Sequence, residues 1–120
     1  MRNTYLQILQ LITGVCIAVL LGIHMVITHL DAILGFFGVD VIEPTSWQAM
    51  IGRAGQGVWV CLYIALLAFS LYHGLFGLRN IIIEMTTSVK IERFLTRVLI
   101  VFGVIAFIVG TYVPVALWIS

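Results

Sequence analysis

Residues 58–78 read VWVCLYIALLAFSLYHGLFGL, an apolar run without a charged side chain that ends directly at Arg79. About 20 such residues, wound at about 1.5 Å each, cross the roughly 30 Å of hydrocarbon in a bilayer. Leu6 to Leu30 has the same character, and so does Phe94 to Ile119 apart from Arg97 near its start. The 120 residues are 62% hydrophobic and 9% charged, with a mean hydropathy of +1.20, whereas soluble domains carry roughly a quarter charged residues. The sequence therefore predicts an all-α membrane protein, a single transmembrane domain over residues 1–120 with helices at about 6–30, 57–85 and 93–119. The connections are too short for a nucleotide fold, a flavin site or a catalytic lobe, so any enzyme chemistry belongs to other subunits.

The first run is too long for the h-region of a signal peptide and lacks an Ala-x-Ala cleavage site, so it is expected to be retained. Cys16 and Cys61 lie inside apolar runs without Cys-x-x-Cys spacing, which indicates packing residues and neither a disulfide framework nor zinc. The net charge of +1 gives no basic surface for nucleic acid.

Arg79, Lys90, Arg93 and Arg97 lie between the second and third spans, whereas Asp31, Asp40, Glu43 and only Arg53 lie between the first and second. By the positive-inside rule the second loop is cytoplasmic, and so is the N-terminus with Arg2. Tyr5, Trp47, Trp59, Tyr112 and Trp118 fall near span ends, as an aromatic belt requires. The first loop, with Gly35-Phe36-Phe37-Gly38 and Glu43-Pro44-Thr45-Ser46, is apolar enough to lie along the outer interface. Ser46 is placed to cap a short amphipathic lead-in to the second span. Pro114 is expected to kink the third.

The chemistry rests on His24, His29 and His73, which all lie in or at the end of a span. An ionisable side chain at that depth is held by a partner, a cavity or a metal. The ordinary alternative for each is a neutral imidazole hydrogen-bonded to a neighbouring helix. His73 opens the run His73-Gly74-Leu75-Phe76-Gly77-Leu78-Arg79. A neutral imidazole can ligate haem iron axially, glycines let a flat ring or a helix approach, and an interfacial arginine can pair with propionates. Against this, Gly74 and Gly77 are also what small-residue helix packing uses, and Arg79 is also what a snorkelling topogenic cation looks like. His24 and His73 each lie about 9 Å deep from opposite faces, about 12 Å apart in depth. Two axial ligands of one iron bring their nitrogens within about 4 Å of each other, so this spacing favours two haems, each completed by a partner chain. His29 lies about 140° round the helix from His24. It is either the distal ligand in place of His24, or a propionate partner, a quinol-site proton carrier or a plain interfacial residue.

On these residues the sequence resembles the cytochrome b membrane anchors of the succinate dehydrogenase and fumarate reductase superfamily. The run from His73 to Arg79 is similar to the family's His-x-x-x-Gly-x-Arg segment, and Gly22-Ile23-His24-Met25-Val26-Ile27-Thr28-His29 to helix 1 of the two-haem anchors. The resemblance covers the first two spans; the third matches only in being apolar and following a basic loop. It implies haem b, two per complex and shared with a second membrane anchor subunit, with His24 a distal and His73 a proximal iron ligand. It also implies an iron–sulfur subunit and a flavoprotein on the cytoplasmic face of a prokaryotic membrane, where Lys90, Arg93 and Arg97 would meet them, and quinone as the electron partner. The one-haem anchors carry an acid and then a Tyr eleven and twelve positions after the haem histidine; here these are Glu84 and Met85, so the acid is kept and the quinone-binding Tyr is missing. Glu43 is the nearest match to the acid that handles quinol protons in two-haem anchors. Two other functions stay open: a cytochrome b anchor of a different membrane oxidoreductase, and a haem-free structural anchor subunit.

Overall fold

A computed structural model describes residues 3–120, and the orientation argument from Arg2 lies outside them. Among the described residues every regular element is helical: α1 Thr4–Thr28, α2 Leu30–Phe36, α3 Trp47–Ala54, α4 Gly57–Glu84 and α5 Val89–Ile119. The long helices α1, α4 and α5 have 25, 28 and 31 residues and the composition of membrane spans. At about 1.5 Å per residue, α5 runs about 46 Å, well beyond the hydrocarbon.

Three of the five helices, α1, α3 and α5, begin at a side-chain cap. Asn3 accepts from the Tyr5 amide, Ser46 from Ala49 and Ser88 from Ile91. The lead-in expected after Ser46 is α3. Thr13, Thr28, Thr96 and Thr111 turn their hydroxyls back onto carbonyls four residues earlier, at 2.7–2.9 Å, which satisfies these polar groups within their own helix. The first span is not continuous to Leu30: His29 leaves helical geometry (φ −113°, ψ 19°), and α2 starts after it with Asp31 in its first turn, where a carboxylate suits the helix dipole. α2 ends in a Schellman turn. Gly38, at φ 78°, donates to Gly35, and Val39 donates to Leu34, a conformation that favours glycine. The third span starts four residues earlier than hydropathy suggests, because Val89, Lys90 and Glu92 form a polar first turn outside the apolar run. It continues as helix through Pro114.

α4 is the middle helix. It packs against α1 on one side and α5 on the other, and α1 and α5 do not meet. The resulting layer measures 57 × 34 × 21 Å. Among the described residues only Thr13, Pro44, Ala54 and Val60 are buried, so the outer faces of α1 and α5 are left for lipid or for other helices to cover. Cys61 is exposed and Cys16 half-buried, and neither forms a disulfide.

The α4/α5 seam closes at small residues. A Cβ built on Gly110 would lie 2.5 Å from Leu67 Cδ2, and one on Gly103 2.8 Å from Leu75 Cδ1. Arg79 clamps the end of the seam, donating through Nε to Thr96 Oγ1 at 2.8 Å and pairing with Glu92 at 3.1 Å. Gly110→Val is expected to force these helices apart at a cost of about 1–3 kcal/mol, read as a lower thermal midpoint of the purified complex.

Candidate functional site

The histidines of the two apolar runs lie on one seam, between α1 and α4, at its two ends. The helices run antiparallel, so Gln10 meets Gly77, Gly14 meets His73 and His24 meets Tyr63. On α1 the levels of the two histidines are thus ten residues apart, or about 15 Å, somewhat more than the depth difference expected from sequence. They cannot flank one iron.

His73 is gripped by the first turns of α1. Its Nδ1 lies 3.0 Å from the Gln10 carbonyl oxygen and 3.4 Å from Thr13 Oγ1. A backbone carbonyl only accepts, so Nδ1 carries a proton, and the tautomer this bond selects has its lone pair on Nε2. Gln10 holds the same residue a second time, donating from Nε2 to the His73 carbonyl at 3.0 Å. The imidazole lies over Gly14, where an added Cβ would come within 3.0 Å of Cε1, so Gly14 makes the bed for the ring. Gly77 plays the packing role weighed for it, since a Cβ there would meet Gln10 Nε2 at 3.1 Å. Gly74, one residue beyond His73, has nothing within 4 Å of its Cβ position and faces out of the chain.

At the other end His24 is half-buried beside Leu20, Ile27, Trp59 and Leu66. Its ring meets Tyr63 edge-on, centroids 6.4 Å apart at 82°. Neither ring nitrogen has a hydrogen-bond partner among the described residues. Tyr63 receives a bond of 3.2 Å from Arg53 Nε, and Arg53 Nη2 donates to the Pro44 carbonyl at 2.6 Å. His29 is exposed at the junction of α1 and α2, away from this group.

The surroundings of His73 suit an axial haem ligand. Metal-binding histidines commonly donate their second nitrogen to a carbonyl, which fixes tautomer and orientation and raises basicity, as Gln10 does for His73. The Gly14 bed gives the ring its place, and the buried Gln10 Oε1, without a partner in the described residues, leaves an acceptor in the same pocket for a donor from outside. Each end of the seam offers one histidine, so a site with two axial imidazoles would need its second from another chain.

On the opposite side of α4 a groove of about 960 Å³ opens between the start of α1 and α5. Arg79, Asn80, Glu84 and Glu92 line its polar end, and Leu75, Phe107 and other apolar residues its length. Glu84 thus reaches a cavity of a size suited to a small amphiphile. Met85, in the position of the missing tyrosine, is exposed at the C-cap of α4. Glu43 is exposed at the other end of the bundle, where it accepts from Thr45 at 2.9 Å.

Gln10, Thr13, Gly14, Tyr63 and Arg53 were not singled out from sequence. Thr13 and His24 are eleven positions apart, about 20° round a helix, so a wheel of α1 carries a signal for a shared polar stripe. Nothing in the sequence joins Arg53 to Tyr63.

A family model described as succinate dehydrogenase/fumarate reductase transmembrane subunit matches residues 2–112. The succinate dehydrogenase hydrophobic membrane anchor subunit of Thermoplasma acidophilum is 28% identical over 102 residues, which cover 85% of this chain and 76% of that protein. No solved structure matches the chain.

Proposed function

Because the chain belongs to the succinate dehydrogenase/fumarate reductase transmembrane subunit family, we propose that it is a haem b-binding anchor that passes electrons between an iron–sulfur subunit and membrane quinone. The observation that carries this reading is the bond from His73 Nδ1 to the Gln10 carbonyl, which leaves Nε2 free to ligate iron. His73 holds one haem and His24 a second, and a second membrane subunit supplies the opposite ligands. Bound haem would supply one-electron transfer; the protein would supply two imidazoles, that of His73 with its tautomer fixed, a low-dielectric shell and charges at the ring edge. Arg79, held in place by Thr96 and Glu92 of α5, lies at the same end of α4 as His73, where it would meet a propionate only at the ring edge.

The basic end faces the cytoplasm of a prokaryotic cell, where exposed Lys90, Arg93 and Arg97 meet the iron–sulfur and flavoprotein subunits. The groove ending at Glu84 takes quinone on that side. At the outer end, His29 and Glu43 are exposed for proton exchange with quinol.

A second reading has one specific support. The two bonds between Gln10 and His73 would also serve a haem-free anchor whose histidine only fastens α1 to α4. The complex purified through a tag on this chain separates the two: the proposal expects two b haems per copy by pyridine haemochrome, and an intact complex without a Soret band would leave the haem-free anchor.

A further inference from the structure

Among the described residues two arginines are half-buried, Arg53 and Arg79, and they differ in what balances their charge. Arg79 has a carboxylate, Glu92, at 3.1 Å. Arg53 has only neutral acceptors, the Tyr63 hydroxyl at 3.2 Å and the Pro44 carbonyl at 2.6 Å, and no ion pair among the described residues. A guanidinium stays protonated at any working pH, and removing it from water without a counter-charge is unfavourable. Two of its five N–H groups are used in these bonds, which leaves three to offer. The same two bonds hold the side chain still, so little ordering is lost when an anion arrives. Its place in the last turn of α3 suits a cation on dipole grounds, yet that would be met equally well by a solvated side chain.

The bonded neighbour decides what the anion is. Tyr63 touches Arg53 through its hydroxyl and His24 through its ring, so imidazole, phenol and guanidinium form a continuous row from the seam to the end of α3. A haem ligated at its centre carries its carboxylates at the ring edge, which is the order in which this row presents ligand and cation. We infer that Arg53 is the partner of a propionate of the haem held by His24. Arg53 is thereby a positioning residue, and Tyr63 aims it. The inference rests on the proposed role of His24 as a haem ligand.

The test compares haem b with its dimethyl ester, whose propionates carry no charge, in the purified complex and in its Arg53→Gln variant. The readout is the rate at which the haem removed by His24→Ala transfers to excess apomyoglobin. In the unaltered protein the ester should leave roughly tenfold faster than haem b, whereas in Arg53→Gln both should leave at one rate, as for any pair whose partner has been deleted. Arg53→Gln should also lower the midpoint potential of this haem by about 59 mV, a tenfold change in the one-electron equilibrium, and Arg53→Lys should restore most of it. Equal ester and haem rates in the unaltered protein overturn the inference, and that arm stands even where Arg53→Gln fails to assemble. An ester effect of the same size with and without Arg53 also overturns it and points to a carboxylate of a partner subunit as the counter-charge. If His24→Ala removes no haem, the ligand assignment itself has failed, and this is read independently of both rates.

Discussion

Replacing His73 by alanine is expected to remove one of two b haems and halve the Soret absorbance per complex, leaving the haem at His24 in place. The reason is local. On the proposed reading this imidazole is the iron ligand at that end of the α1/α4 seam, and among the described residues the other two histidines, His24 and His29, lie toward the opposite end of α1. The variant also leaves the Gln10 carbonyl and Thr13 without their partner in the seam, at a cost of about 1–3 kcal/mol. A complex anchored by three long apolar helices tolerates such a loss. Haemochrome content, measured on material that elutes as the intact complex, checks the prediction; full haem content in His73→Ala would show that its bonds to α1 are its whole role.

Gly14→Leu is expected to remove the same haem with every histidine still present. An added Cβ would lie 3.0 Å from His73 Cε1, a contact that a shift of a few tenths of an ångström relieves, so Gly14→Ala should lose little. The remaining carbons of leucine have no such relief. They must displace the ring, break its bond to Gln10 or separate α1 from α4, and overpacking of this kind costs about 1–3 kcal/mol. The graded series Gly14→Ala, Gly14→Val and Gly14→Leu should therefore lower haem content stepwise, with the absorbance of the His24 haem unchanged. A series that affects both haems equally would mean that Gly14 serves only to hold the bundle together.

Much of this was legible in the sequence because a membrane simplifies the problem. With no water to satisfy the backbone, long apolar runs must be helices, and the three spans follow from hydropathy. Ser46 announced α3 for the same reason that any short polar side chain does, by accepting from an amide that the helix leaves open. The different depths of His24 and His73 followed from counting residues at fixed rise. What was not legible depends on the third dimension or on polar turns. Lys90 and Glu92 read as a loop, since hydropathy has no signal for a helix that continues into the interface. The break at His29 is set by backbone geometry between two apolar segments. Gln10 and Gly14 gain their meaning only when α4 brings His73 against them, and Arg53 only when α3 brings it to Tyr63.

The family assignment bears on the rivals as well. It places the chain among succinate dehydrogenase and fumarate reductase anchors, which weighs against an anchor of an unrelated oxidoreductase. The thin layer of three helices, with α1 and α5 exposed along most of their length, is the form expected of a subunit that completes its bundle with other helices.

The most direct measurement is a redox titration of the b-haem absorbance in the purified complex, comparing the unaltered protein with His24→Ala and His73→Ala. The two-site arrangement predicts two one-electron components in the unaltered protein and the loss of a different one in each variant. Two components that persist in both variants would contradict it and leave these histidines as fastenings between helices.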